Sequence, residues 1–353
     1  MNYLFKGVFK TMGDIRYNKA IVKNINESLI RKVLQKEAVF TKTKIARETG
    51  LSFPTVSRIL DEMAQSGEIL IYGVDPTTGG RHAQSYVINP EFAYILCVFS
   101  TIRGLRSVIT NSLGEKVNEE EHGMVLERGK FIEKLDEVVA KKTEEYPVRA
   151  LSVGLNWGVS SNGTILFGAE PFGLQNFNLK EHLEEKFKLR VRVENDMNAI
   201  ATGCYEKKFD QDDLSLACVS IGRTGCGCGL YLRGHLVRGV HGFAGELRYL
   251  PIDENRNLDK EFAEGFPTVP ETSRIAQLVS SLCCTVDPGV IVFYDRGGQE
   301  QTLRQVEEDC RKYLPEEVIP KLEILNTYEE DYEAGLVSFG KDLLLTGYEI
   351  VNR

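Results

Sequence analysis

The spacing of apolar positions along the chain changes character, and the changes divide it. From Asn24 they recur at three- and four-residue steps, as Ile25, Leu29, Ile30, Val33 and Leu34, which predicts a helix with one buried face. The stretch "TKTKIARETGLSFPTVSRILDEMAQSGEIL" then reads as two shorter helices. Thr41 or Thr43 can cap the first, which carries Ile45 and Ala46 and is stopped by Gly50. Ser52 caps the second. Pro54 suits its first turn, where a missing N–H costs nothing, and Val56, Ile59, Leu60 and Met63 form the buried stripe. Thr55, Ser57 and Arg58 are left pointing outward. "ILIYGVD" and "QSYVINP" predict two strands joined by "PTTGGRHA", a hairpin with Arg81 at its tip.

After Pro90 the texture becomes α/β. "YILCVFS" and "LRSVITNSLGEKV" predict a hairpin of strands, and Phe131–Tyr146 a helix with Ile132, Leu135, Val138 and Val139 inward. "ALSVGLNWGVSSNGTILFG" predicts a strand, a Gly-rich turn and a strand, followed by a helix over Leu179–Phe187. In "VRVENDMNAIATG" an alternating strand runs into Glu194-Asn195-Asp196 and then into a helix. Polar groups at the end of such a strand face the crevice where α/β proteins hold ligands. Asp196 there can cap a helix starting at Met197, hold a ligand, or do both. "LACVSIGRTGCGCGLYLRGHLVRGVHGFAGELRYLP" predicts a strand, a Gly-rich turn, a strand and a second polar loop. The last third predicts a helix through "SRIAQLVSSLCCTVDP", a buried strand "VIVFYD", more α/β, and a final helix near Glu333–Leu345. Trp157 could stack on a ligand, but its strand-turn context favours packing.

A chain of 353 residues exceeds one ordinary core and implies two or three domains. Charge is unevenly shared: residues 1–90 hold 13 Lys and Arg against 8 Asp and Glu, and the rest hold 30 against 43. A basic head on an acidic body is expected when only the head meets a polyanion. Combined with the capped, polar-faced second helix and the hairpin, this predicts a winged helix-turn-helix DNA-binding domain at residues 18–90, behind a tail at 1–17. The second helix would enter the major groove, and the hairpin would touch phosphate or a minor groove. Candidate contacts are Lys42, Lys44, Ser52, Thr55, Ser57, Arg58 and Arg81. The 8 cysteines are scattered and form no paired knuckles, which predicts reduced thiols without disulfides. No window approaches the roughly 20 apolar residues of a membrane span, and no signal peptide is evident, so a cytoplasmic protein is expected.

"VRVENDMNAIATG", "GCGLYLRGHLVRGVHGFAGEL", "LVSSLCCTVDPGVIVF", Ala334-Gly335-Leu336 and the "GGR" wing followed by "INP" together resemble the ROK family. That family groups sugar kinases with sugar-responsive repressors carrying an N-terminal winged helix. The resemblance implies an α/β, actin-like, two-lobed sugar-kinase fold behind an α+β winged helix. Residues 91–194, with the C-terminal helix at 329–353, would form the small lobe and 195–328 the large one. Asn195 and Asp196 match the family's sugar-contacting pair, with Asp196 at the place of the kinases' base. Glu246 matches the glutamate of a G-E-x-G-H segment, and Thr224–Gly229 fall where the kinases wrap ATP phosphate.

Departures from the pattern carry as much information. The kinases' D-x-G-G-T, whose Asp and glycines serve metal and phosphate, is replaced by "VFSTIRG", where backbone cannot approach a phosphate as closely. The family's sugar- and zinc-touching histidine is replaced by Tyr249, and no cysteine lies between Asp253 and Phe266. The expectation is a sugar-responsive transcriptional regulator, a repressor, bound to operator DNA as a homodimer or tetramer. A sugar or sugar phosphate would be held by Asn195, Asp196, Glu246 and Tyr249. No working catalytic residue is expected, Asp196 being a vestigial base, and neither zinc nor ATP is expected as cofactor. The alternatives are an active sugar kinase with a DNA-binding appendage, and a regulator whose cleft binds nothing.

Overall fold

The helical and alternating patterns of the head become three helices packed on a small sheet. The computed structural model describes residues 19–35, 39–74, 84–124, 129–209, 213–222, 225–265, 269–294 and 300–345. Helices α1 (Lys19–Leu34), α2 (Lys42–Thr49) and α3 (Phe53–Gln65) are joined by strands β1 (Phe40–Thr41), β2 (Ile69–Val74) and β3 (Gln84–Ile88). The strands lie in the order β1-β3-β2, all antiparallel. Ile30, Val33 and Leu34 of α1, Ile45 of α2, the α3 stripe Val56, Ile59, Leu60 and Met63, and Ile69 and Tyr86 make one core. Arg31 clamps α1 to the start of β2 through a fork on Glu68, at 2.5 and 3.0 Å.

Ile25 and Leu29 depart from expectation, standing 52% and 39% exposed. Five apolar positions on one helix sweep about half its circumference at 100° per residue, and the core uses only the half around Ile30, Val33 and Leu34. Among the described residues the head also takes in Asn111–Glu115 and Lys341–Leu345.

The body, Ile95–Thr110 with Lys116–Gly340, contains two five-stranded sheets. The first has the order β10-β7-β4-β5-β6 and is built from β4 (Tyr94–Thr101), β5 (Gly104–Asn111), β6 (Lys116–Glu121), β7 (Val148–Leu155) and β10 (Arg190–Asn195). Helices α4 (Lys130–Glu145) and α5 (Leu179–Phe187) accompany it, with a ribbon of β8 (Gly158–Val159) and β9 (Ile165–Phe167). On α4 the inward positions are Phe131, Leu135, Val138 and Val139, while Ile132 is only partly buried. Phe131 fills that place by packing on Trp157 and Phe172. Strands β10 and β7 run parallel up to Asn195 opposite Leu155, which delivers the polar cluster to the sheet's end.

After α6 (Asp196–Cys204) comes the second sheet, ordered β13-β12-β11-β14-β15. Its strands are β11 (Leu216–Gly222), β12 (Gly225–Leu232), β13 (His235–Val237), β14 (Val290–Tyr294) and β15 (Lys321–Leu325), with helices α7 (Leu258–Ala263), α8 (Glu271–Val286) and α9 (Glu300–Cys310). The closing helix α10 (Tyr328–Leu345) starts a turn earlier than its periodicity predicts. Thr327 bonds Asp331 through both its hydroxyl and its carbonyl, and Glu329, Glu330 and Asp331 suit the positive end of the helix dipole. All eight cysteines are free thiols, six of them buried. Among the described residues no helix is long and apolar enough to cross a membrane.

Helix α6 is gripped by glycines. A Cβ on Gly229 of β12 would lie 2.1 Å from the Met197 carbonyl oxygen, and one on Gly335 of α10 would lie 1.8 Å from that of Ala199. On α6 itself, a Cβ on Gly203 would lie 2.0 Å from the Asp331 carbonyl oxygen. Backbone therefore meets backbone on both sides of the helix. Gly335→Ala, with no room to relax, is expected to lower unfolding free energy by about 1–3 kcal/mol. Gly289→Ala, whose methyl would meet nothing closer than 3.6 Å, should stay within about 0.5 kcal/mol. Denaturant titration of the two variants checks the contrast.

Candidate functional site

The polar face of the head is assembled from caps. Thr41 accepts the Lys44 amide at the start of α2, and Gly50 ends that helix in the left-handed region at φ 68. Ser52 accepts the Thr55 amide at the start of α3, and the two hydroxyls share a further bond of 2.8 Å. Lys42 reaches across to α3, donating to Ser57 at 2.8 Å and to Asp61 at 2.9 Å. Arg58 is exposed and pairs with Glu62 at 2.6 Å. Lys44 stands over the Phe40 ring. Lys42 of α2 is thus brought to Ser57 of α3, with Ser52 and Thr55 joined at the start of α3, whereas Arg58 shares Glu62 with Lys23 of α1 and Lys44 stays beside Phe40; Arg81 lies outside the described residues. One neighbour escaped the sequence argument: Phe53, at the first position of α3, is 51% exposed. It lies in register with the buried stripe, so periodicity alone could not have found it.

In the body, Asn195 rather than Asp196 is the N-cap of α6. Its side-chain oxygen accepts the amides of Met197 at 2.9 Å and Asn198 at 3.3 Å, while its amide donates to the Trp157 carbonyl at 3.1 Å. Both residues are good caps by type, and the Trp157 carbonyl orients Asn195 for the task. Trp157 itself is buried against Phe131 and Phe172, in the packing role its context favours. Asp196 takes the first helical position. One of its oxygens accepts the Met197 amide at 2.8 Å and the other accepts the Tyr328 hydroxyl at 3.2 Å. Burial pushes this carboxyl up to about 6, against the pull of those hydrogen bonds.

Glu194 next door has the opposite fate. It is buried, and burial alone would raise it. Arg238, at 2.7 Å, and Arg192, at 3.3 Å, outweigh that and hold it below the usual carboxylate range. Glu246 lies in the polar loop after β13, which Gly245 presses onto β12. Its own carboxyl is raised to about 7, first by burial and then by the nearby Asp196 charge, with Arg248 opposing. Tyr249 follows one turn later and is half-exposed, with its ring 5.1 Å from that of Phe243. Asn195, Asp196, Glu246 and Tyr249 therefore share one region of the body. Tyr328, Phe243 and Arg238 join them from distant segments that no local pattern connects.

Two features bear on the phosphate and zinc sites of the resemblance. At the end of β4, Phe99 packs 4.9 Å from Tyr332, whose ring would collide with any Cβ at Gly154. Gly227 and Gly229 lie within β12 and serve close packing against Met197, while Thr224 lies outside the described residues. In the segment after Tyr249, Asp259 is held by Arg248, Asp253 by Arg256, and the fully buried Glu261 by Arg256 and Arg274. These three carboxylates already hold guanidinium groups, and the segment contains no cysteine.

Residues 109–263 match the ROK family. A protein of Caldicellulosiruptor sp. (strain Rt8B.4), whose name assigns it provisionally as a xylose repressor, is 31% identical over 253 residues. The alignment covers 68% of this chain and 62% of that protein. The chain belongs to the ROK family. The xylose repressor of Bacillus subtilis (strain 168) is 24% identical over 67% of this chain and 63% of its own length. The chain thus spans less than two thirds of the length of these relatives. A solved ROK family transcriptional regulator, homologous to the Escherichia coli Mlc protein, superposes with a TM-score of 0.73 at 18% identity, over 92% of this chain and 98% of that one. The ROK hexokinase of Thermus thermophilus superposes with a TM-score of 0.56 at 21% identity, over 71% of this chain and 99% of the enzyme. Kinase and regulator share the fold, which is the α/β architecture the motifs imply.

The raised Asp196 carboxyl makes a pH-dependent prediction. An acid whose folded value exceeds its unfolded value, about 3.9, stabilises fully below the latter and loses that contribution as pH rises through the former. With the folded value at about 6, the loss falls between roughly pH 4 and pH 7. Asp196→Asn is expected to gain on the native protein across that window. The gain should reach about 1–2 kcal/mol at pH 8, discounted for partial exposure. Unfolding curves of both proteins at pH 4.5 and 8 measure it, and a gap that fails to widen refutes it.

Proposed function

We propose that the chain is a sugar-responsive transcriptional regulator, a repressor, whose head binds operator DNA and whose pocket around Asn195, Asp196 and Glu246 takes a small effector. The observation that carries this is a contrast within the body. The sugar-side carboxyls stand together, whereas Val98–Gly104, where a kinase would hold metal and phosphate, presents Phe99, Ile102 and Arg103 with Tyr332 packed behind. Phosphoryl transfer depends on phosphate, metal and base being positioned together. A base alone does not make a kinase, so the chain is read as a non-enzyme needing neither ATP nor zinc. The names of its relatives support the repressor reading: several are xylose repressors, and one is the N-acetylglucosamine repressor of Escherichia coli O157:H7.

In the head, the start of α3 offers Ser52, Thr55, Ser57 and Arg58 to base edges, with Lys42 and Lys44 on phosphate. Two heads of a homodimer would grip half-sites related by two-fold symmetry. Lys42 exchanges Asp61 for phosphate and Arg58 exchanges Glu62 for a base edge on binding, and the phosphate contacts make affinity fall steeply with salt. Effector and operator then weaken each other reciprocally.

Duplexes selected from a random pool at low ionic strength provide the operator. Arg58→Ala is expected to lower affinity for them by about tenfold or more. Saturating xylose or N-acetylglucosamine should shift wild-type affinity by about 5–150-fold. A sugar series that leaves DNA affinity unchanged rejects the effector role, and recovery of no duplex rejects the regulator. Incubated with ATP, magnesium and the same sugars, the protein should form no sugar phosphate above a protein-free control. Catalytic turnover there would restore the kinase.

A further inference from the structure

The first residue of α3 is a phenylalanine that the core of the head leaves out. Phe53 continues the run of Val56 and Leu60, both fully buried, past the edge of the core, and stays 51% exposed. Among the described residues no other ring and no cation packs against it. Its backbone is held on both sides. Ser52 caps the helix by accepting the Thr55 amide, and the Pro54 ring fixes its own φ.

A single apolar side chain on a protein surface is ordinary; the company of this one is not. The Ser52 and Thr55 hydroxyls on either side are engaged with each other at 2.8 Å. Ser57 and Asp61 follow Phe53 at four-residue steps along α3, and both accept from Lys42. Arg58 is committed to Glu62. The polar groups of this face must therefore exchange partners before they can meet DNA, whereas the ring has no polar contact to give up. It also stands at the end of the helix that a helix-turn-helix brings deepest into the major groove.

The chemistry of the groove then selects the contact. Every base edge there presents hydrogen-bonding atoms, and thymine adds an apolar group, its C5-methyl. A phenyl ring can satisfy no donor or acceptor, so against a purine or cytosine it would strip water from polar atoms without replacing it. Against thymine it covers a methyl group. We infer that Phe53 is a base-reading residue, which packs its ring on the C5-methyl of one thymine in each half-site and so selects thymine at that position. This selectivity rests on the head's being the DNA-binding unit.

Duplexes selected from a random pool, with each thymine of a half-site replaced singly by deoxyuridine, test it, because that exchange removes the methyl group alone. At one position or more the native full chain is expected to bind the deoxyuridine duplex about fourfold more weakly, the worth of one buried methyl group. Cytosine at that position should be weaker still, and 5-methylcytosine should recover about fourfold over cytosine. Phe53→Ala should bind the thymine and deoxyuridine duplexes equally there, and should melt as the native protein does, since the ring lies outside the core. The native protein's preference needs no variant and is read even if Phe53→Ala folds poorly. Native affinity that no deoxyuridine exchange lowers, or a Phe53→Ala protein that still discriminates at the same position, overturns the thymine contact and leaves the regulator standing. Recovery of no duplex at all overturns the regulator, and the contact with it.

Discussion

The placing of Asn195 and Asp196 depends on how closely one short helix can be held. Every residue of α6 from Met197 to Cys204 is buried, so the helix has no solvent face to buffer a misfit. Gly229 and Gly335 remove the side chains that would keep neighbours away, and Gly203 does so on the helix itself. Dispersion forces act only at contact distance, and a backbone-to-backbone seat leaves no flexible side chain to absorb movement. Asn195 and Asp196 project from the end of this seat. Their positions are therefore set by the packing of the body rather than by their own hydrogen bonds, which add about 1 kcal/mol per cap.

Much of the fold was legible because it obeys local rules. Ser52, Pro54 and the Val56–Met63 stripe define α3, Gly50 stops α2, and α5 covers Leu179–Phe187 as its period predicts. The change of pattern at the end of β10 marks where the strand gives way to α6. Other features arise only from tertiary contact. Asn195 and Asp196 are equivalent cap candidates until the Trp157 carbonyl favours one of them. Tyr328 reaches Asp196 across 132 positions of sequence. Phe167 of strand β9 meets Phe243 and Tyr249 from the loop after β13, with which it shares no period, and nothing in a linear pattern brings them together.

Three carboxyls within one small region show how environment sets charge. Glu194, Asp196 and Glu246 all lose water, yet only Glu194 is held low, because only it has two guanidinium groups within contact. One is a structural anion, and the other two are pushed up toward neutrality, chiefly by burial. Sequence proximity misleads here: Glu194 and Asp196 are two residues apart but sit on opposite sides of the usual carboxylate value.

The clasp between Glu194 and Arg238 also limits how this protein can drift. Arg238 anchors the base of the loop that carries Phe243 and Glu246, and its partner is almost wholly enclosed. Changing either residue alone strands a charge away from water, whereas replacing both with a matched apolar pair need not. Among descendants of this chain, positions 194 and 238 should therefore mutate in concert. A lineage that has exchanged one without the other will have had to reposition the loop, and with it Phe243 and Glu246.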